Sequence, residues 1–536
     1  MKKFIALTLV LVMLLALAAC GSSDGAGTTD DAAASATAQP EAVESQVVET
    51  TDEKRILRVG CMESGGGYDP FNSEQNEIGN DLVYEPIAQR MPDGTLEPWC
   101  CESYEWTDET TLVFHMRDDV YFADGDQMTG EDVLFTFEAW TQGIHASDYA
   151  ALDIENSYVS DDGMTVTFVF FEPFGVFESG LDIPHITNKS AVEGISSDDE
   201  IWWNTSYGSG PYEVVENITG SHSTYRLRDD YWNKDFEPQW DEIIINYYSE
   251  ATAMFIAFEN GELDLVCSVG ANDAARLQTG DTQLGDKAEY EFISDNSVYC
   301  LNLNNNRAEL QDPKVREAIA YAIDKDGLGE VAFGVLYKTA DSQLSEKTKY
   351  YISTGGYAYD LEYAKQCMAE SNYPDGFTLD VVAQNGTETT AMWEVIQGCL
   401  AEIGITLNFQ SYDLTSCLEL WMQETGNDMF FMNVYGGNSE LDPWKSIGQS
   451  KAESPFPASR VPDEEYQEHL YAGTYTSDNS VRQENYEWLQ EWLHENFQCI
   501  PLVENLVCYT YNTDVVDHCE CYTASTPRLM WCFAAE

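Results

Sequence analysis

Strand and helix signatures alternate along the chain from Arg55 to Tyr511, and this interleaving is the tightest constraint on its fold. Arg55–Cys61 (RILRVGC), Thr111–Met116 and Glu242–Tyr248 place apolar residues at every second position, as half-buried strands do. Between such runs the period changes to that of a helix. Val315, Ala318, Ile319, Ala322 and Ile323 share one helical face behind an Asp312-Pro313 start signal. Trp393, Ile396, Leu400 and Ile403 share another, which stops at Gly404. Thr129 is placed to cap a helix running toward Trp140, and a helix from Thr252 ends at Gly261 before a strand at Leu263–Val266. Met429–Tyr435 is a strongly apolar strand, a long helix covers Ser480–Phe497, and Ile500–Leu502 and Leu506–Tyr511 read as two closing strands. Interleaved elements of this kind build α/β layers. About 480 residues follow Lys54. That is more than one core accommodates, so two or more lobes are expected.

The N-terminus addresses the chain outward. Lys2 and Lys3 precede an apolar run, Phe4–Leu15, which is too short to span a membrane. Leu17-Ala18-Ala19-Cys20 then resembles a bacterial lipobox, with cleavage after residue 19 and an acyl anchor on Cys20; the plainer alternative is an ordinary signal peptide with an incidental cysteine. Residues 20–54 contain no aromatic residue and read as a disordered tether whose ends lie about 30 Å apart. The expected location is therefore extracytoplasmic, lipid-anchored to the cell membrane. The formal net charge is −68. A surface so acidic repels nucleic acid and anionic lipid, which leaves the acyl chain as the only membrane contact.

Catalytic and metal signatures are sparse. The one G-x-S-x-G match, Gly21–Gly25, falls in the tether rather than on a strand-to-helix turn. His494-Glu495 lacks the second histidine of a zinc-protease helix, and neither a P-loop nor a dinucleotide fingerprint follows any strand. No enzymatic activity and no cofactor are expected. Of 14 cysteines, 13 remain beyond Cys20, an odd number that cannot all pair. Cys267, Cys399 and Cys508 sit in apolar runs as small hydrophobes, and free thiols are expected overall. Cys100-Cys101 and His518-Cys519-Glu520-Cys521 stay open to oxidation or metal binding.

Several blocks, taken in order, carry a family resemblance. Trp106–Glu109 with Leu112–Glu138 (LVFHMRDDVYFADGDQMTGEDVLFTFE), Gly208-Ser209-Gly210-Pro211-Tyr212, Ala251–Val266, Leu301–Leu328, Ala364–Phe377, Ile396–Phe409 and Gln498–Asn512 resemble the family 5 extracellular solute-binding proteins of ABC importers, which include oligopeptide-, dipeptide- and nickel-binding members. The resemblance implies an α/β, two-lobed periplasmic-binding-protein-like clamshell of type II whose chain crosses the hinge twice. Lobe I would hold residues 55–300 and 503–536, with an inserted subdomain at 98–206, and lobe II residues 301–502. It implies a monomer that encloses a small solute, most simply a short peptide, and delivers it to the permease subunits of the importer. By the same resemblance the solute contacts are Glu63, Ser64 and Gly65, after the first strand, and Tyr435, Gly436, Gly437 and Asn438, past a lobe II strand. Peptide binders often carry an Asp at the last of these positions, where it meets the α-ammonium; Asn438 supplies no full charge. Asp442 is the substitute if the loop is offset, and otherwise a turn residue before Pro443. Trp421, Trp444 and Trp488 would suit sugar stacking, although core packing is the simpler use of each.

Overall fold

The first strand shows how the sequence sets the architecture. In Ile56–Cys61 the alternating Leu57, Val59 and Cys61 are buried. The strand pairs in parallel with Glu242–Tyr247 on one side and Leu265–Val266 on the other, so both its edges are used. Parallel strands need a crossover, and the helix Ala251–Glu259 supplies it. The computed structural model describes residues 54–62, 65–71, 77–143, 146, 149–196, 199–203, 207–433, 443–520 and 527–535. Cys20, Glu63, Ser64, Tyr435, Gly436, Gly437, Asn438, Asp442 and Cys521 lie outside them.

Nine strands form one sheet. From one edge the order is Met429–Asn433, Ala288–Leu303, Cys499–Asn512, Leu265–Val266, Ile56–Cys61, Glu242–Tyr247, His222–Leu227 and Tyr212–Ile218; Tyr337–Thr339 also joins Cys499–Asn512. The two expected closing strands are thus a single strand of 14 residues. Pro501 sits within it, where the pairing with Ala288–Leu303 shifts register. Proline is tolerated in a strand at such an irregularity, where no ladder N–H is called for.

Separate cores pack around this sheet. Leu57, Val59, Ile243, Ile245 and Leu265 belong to one. A second forms around a four-stranded antiparallel sheet, Cys101–Asp108, Thr111–Met116, Thr165–Val169 and Tyr158–Val159, covered by the helix Gly130–Trp140. The helix starts in a capping box, with Asp132 reaching back to the Thr129 amide at 2.8 Å. This core also takes in Ile87, Tyr231 and Trp232, which lie outside 98–206 on both sides. A third core gathers Val315, Ile319, Leu379, Trp393, Leu400 and Leu407 from helices Pro313–Ala322 and Thr387–Ala401 and the parallel pair Phe377–Gln384 and Ile405–Tyr412, with Leu301 and Val503 from the two long strands. Asp312 caps the first of these helices at the Lys314 amide (2.9 Å) and also accepts the Asn372 amide (2.8 Å). The helix Asn479–Glu495 buries Tyr486, Leu489 and Leu493 against Val298, Cys300 and Leu344 in a fourth. All of Lys54–Glu536 nonetheless makes one compact unit.

The Gly208–Tyr212 motif is legible in steric terms. A Cβ on Gly208 would lie 2.2 Å from the Val83 carbonyl oxygen, and one on Gly210 2.6 Å from that of Leu82. Two backbones pass here with no room for side chains. Ser209 then donates to buried Glu85 (2.7 Å), which also accepts from Tyr231 and Trp232 (2.6 Å each) and Trp99 (2.8 Å). One carboxylate, satisfied by four donors, ties three stretches of chain together.

The expectation of free thiols needs one correction. Cys519 is bonded to Cys532, and His518 beside it stacks on Phe533. The partner, 13 residues on, comes back across a two-stranded antiparallel ladder that aligns Cys519 with Cys532. Ten other cysteines among the described residues lie outside any disulfide. Burial pushes Cys101 and Cys508 up to about 12 and Cys100 well above its usual range, so these thiols stay protonated.

Candidate functional site

The two long strands Ala288–Leu303 and Cys499–Asn512 run side by side through the middle of the molecule, and their ladder breaks once. Ser294 pairs Leu506 and Val298 pairs Glu504, so three residues face the single Asn505. Asn296, within the break, has φ +62°, a left-handed conformation that asparagine tolerates better than most residues. Polar side chains hold the irregularity. Asp295 accepts from Asn505 (2.6 Å) and from the Ser297 amide (2.8 Å), and burial raises its pKa. Glu504 is buried and accepts from Ser345 (2.5 Å) and Ser294. Before the break the ladder packs with Phe292 and Cys508; after it, with Val298 and Cys300. A break of this kind in a two-strand connection is where bending is least costly.

Gly65 is the one predicted contact residue within the described structure. It is buried at φ +64°, and a Cβ there would come within 2.4 Å of the Tyr247 ring. Glycine is required twice over, by conformation and by space. Its loop is fastened by the protein. Asn217 donates to the Gly66 carbonyl (2.9 Å), the Tyr68 amide donates to Trp202 (2.7 Å), and Tyr84 donates to the Tyr68 carbonyl (2.7 Å). Met429–Asn433 leads into the second predicted segment. It pairs with Ala288–Leu303 and ends the sheet, so among the described residues its other edge carries no ladder.

The three tryptophans each have a protein partner. Trp421 donates to the Val382 carbonyl (2.8 Å), Trp488 stacks on His469 at 3.8 Å, and Trp444 meets Phe174 edge-on at 5.8 Å. Each is half-buried against one of the cores.

A cavity of about 690 Å³ lies elsewhere, between the Arg90–Leu96 turn with Tyr104 and Glu178 on one wall and Lys347 and Lys349 on the other. Its size suits a small ligand. Arg90 is committed to Asp182 (3.0 Å), which leaves the two lysines facing Asp93 and Glu178 as its charged groups. Gly65 does not line it. Sequence reasoning missed this cavity because its walls come from segments some 170 residues apart.

It also missed Lys325. The side chain is buried, with its ammonium 5.1 Å from the Tyr357 ring centroid, and burial pushes its pKa down to about 8. Tyr357 stacks on His494 (4.6 Å), whose pKa is lowered by burial and by Lys325. The Asp324 cap, which accepts from the Gly327 amide (3.1 Å), fixes where this helix starts and so turns Lys325 inward. A charged residue one step past a cap gives no sequence signal of burial.

The profile of the bacterial extracellular solute-binding proteins, family 5 (middle), matches residues 95–453. The chain belongs to this family. This solute-binding protein is 24% identical over 477 residues to the heme-binding protein A of Haemophilus influenzae, covering 81% of this chain and 83% of that one. It is 22% identical over 489 residues to the dipeptide-binding protein of Escherichia coli, covering 84% and 89%. Its fold superposes on the ABC transporter substrate-binding protein CtaP of Listeria monocytogenes with a TM-score of 0.77 at 21% identity, over 90% of this chain and all of the other. The fold is therefore the two-lobed α/β type of solute-binding proteins, and among the described residues no helix is long and apolar enough to cross a membrane.

Proposed function

We propose that this protein captures a short peptide between two lobes and passes it to the permease of an ABC importer, working as a monomer held to the cell membrane by a lipid on Cys20. The observation that carries the reading is the broken ladder at Ser294–Val298, because it gives two rigid bodies a connection able to bend. The cores divide in the same way. Residues up to Ile293 and from Cys508 pack with the body that contains Ile56–Cys61, and most of residues 298–503 pack in two cores of their own, with Val335, Leu336, Trp444 and Tyr475 reaching across to the first body. On this division we assign lobe I to 55–300 plus 503–536 and lobe II to 301–502, with 98–206 as a subdomain of lobe I whose core also takes in Ile87, Tyr231 and Trp232. Met429–Asn433 carries no second ladder among the described residues, although Asp428 just before it bonds to Asp380 (2.7 Å), and this supports a peptide over other solutes, since an extended backbone can add to a sheet's outer strand. Glu63, Ser64, Gly65, Tyr435, Gly436, Gly437, Asn438 and Asp442 are the proposed contacts.

The relatives' names keep heme and nickel in view as alternatives. Thermal unfolding of the purified protein with di-, tri- and tetrapeptides, hemin, nickel–histidine and maltooligosaccharides separates them. A bound solute at a hundredfold excess over Kd stabilises by about 2.7 kcal/mol, with no product formed. Stabilisation by hemin, nickel or sugar with none by any peptide overturns the peptide assignment.

A further inference from the structure

The two bodies touch at a second place besides the crossing strands. Phe174 and Gly175 open a 3-10 turn, Gly175–Gly180, at the edge of the subdomain. Tyr475–Ser477 lies between the helices Glu464–Thr474 and Asn479–Glu495 of the other body. The Gly175 N–H donates to the Thr476 carbonyl (3.0 Å), and the guanidinium of Arg482 donates back to the Gly175 carbonyl (3.4 Å). Arg482 has no exposed surface; it also donates to the Gly473 carbonyl (3.3 Å) and lies 5.5 Å and 5.8 Å from the rings of Tyr350 and Tyr486. Phe174 fills the remaining space, 5.8 Å from Trp444 and 6.4 Å from Tyr475.

Gly175 is selected here by space. Its φ is not positive, so backbone conformation does not call for glycine. A Cβ would lie 2.4 Å from the Thr476 carbonyl oxygen and 3.0 Å from Ser477 Cα. Neither neighbour is a flexible side-chain end, so any larger residue pushes the two chains apart. The same turn continues to Glu178 and Ser179, which border the cavity whose far wall is Lys347 and Lys349. The contact thus sits next to an open gap, and parting it uncovers the Phe174, Trp444 and Tyr475 rings.

We infer that Gly175, Thr476 and Arg482 form a clasp that holds the two lobes shut and parts when the cleft opens, a role that rests on the two-lobe reading above. Gly175 is a positioning residue: it touches no solute and acts through the closed population. Apparent affinity for any solute falls by the factor by which that population falls. The clasp and the bend are then the two ends of one motion, the first supplying a threshold and the second the freedom to move.

Small-angle scattering from the full chain without added solute tests this independently of what the solute is. Gly175→Val is the steric probe, and Trp444→Ala, which removes the ring facing Phe174, is the second. Circular dichroism and a cooperative urea transition establish which variant is folded. A folded variant is expected to show a larger radius of gyration and maximum dimension than the wild type, with faster hydrogen exchange at the Gly175 amide and unchanged exchange in the helix Gly130–Trp140. Scattering and exchange that match the wild type in a folded variant overturn the clasp. Failure of every peptide in the unfolding assay leaves this measurement unaffected, so the two readings fail separately.

Discussion

Replacing Lys325 with methionine should make the protein more stable at neutral pH. An unfolded lysine takes up its proton below about 10.4. The folded one does so only below about 8, because burial disfavours the charge. Between those values the unfolded chain binds more protons, so wild-type stability rises with pH across that window. Below about pH 8 both states are charged and the cost is fully present. A displacement of roughly 2 to 2.5 pK units at 1.36 kcal/mol each gives about 3 kcal/mol. The ammonium's contact with the Tyr357 ring, about 0.5–1 kcal/mol, is lost in the variant. Methionine fills a similar length without a charge, so a net gain of about 2 kcal/mol is expected at pH 7. Urea unfolding followed by tryptophan fluorescence, at pH 7 and again at pH 10.5, measures it. The gain should shrink to near zero at the higher pH; tyrosines and thiols titrate there in both proteins and cancel in the difference. A variant less stable than wild type by the same amount at both pH values refutes the reasoning, because it would mean that the buried ammonium is fully compensated.

Three further outcomes follow from the geometry. Gly208→Ala should lower stability by about 1–3 kcal/mol in urea unfolding, since its Cβ would meet the Val83 carbonyl oxygen at 2.2 Å. Asp312→Ala should cost about 1 kcal/mol through loss of the helix cap, and Asp312→Asn should recover most of it. Reducing the Cys519–Cys532 bond, which closes a loop with a separation of 13 residues, should lower the unfolding free energy of the C-terminal hairpin by about 3 kcal/mol, read as faster hydrogen exchange in Val516–Cys519.

The sequence shows the elements well wherever local chemistry decides them. Thr129 and Asp312 cap the helices they were expected to cap, and the alternation in Arg55–Cys61 and Thr111–Met116 becomes strands with those buried faces. Family fold was legible for a related reason: glycines such as Gly208 and Gly210 record close backbone approaches that few other sequences require. What was not legible is long-range. Ile500–Leu502 and Leu506–Tyr511 read as two strands because Val503–Asn505 is held in one strand only by its pairing with a partner about 200 residues earlier. The Cys519–Cys532 bond depends on a hairpin pairing that no spacing rule identifies. Of the expected solute contacts, Gly65 is explained by Tyr247, which local sequence does not place beside it, and the others lie outside the described residues.

The position of Cys499–Asn512 in the sheet also bears on how the chain comes to be folded. The last long strand made is an interior one, seated between Ala288–Leu303 and Leu265–Val266. Until it arrives, the earlier strands have an open seam in the middle of the sheet, and closing that seam joins residues some 200 to 250 positions apart. Contacts of such long range are slow to form. A chain made only as far as residue 498 therefore lacks the strand that joins the two halves of the sheet.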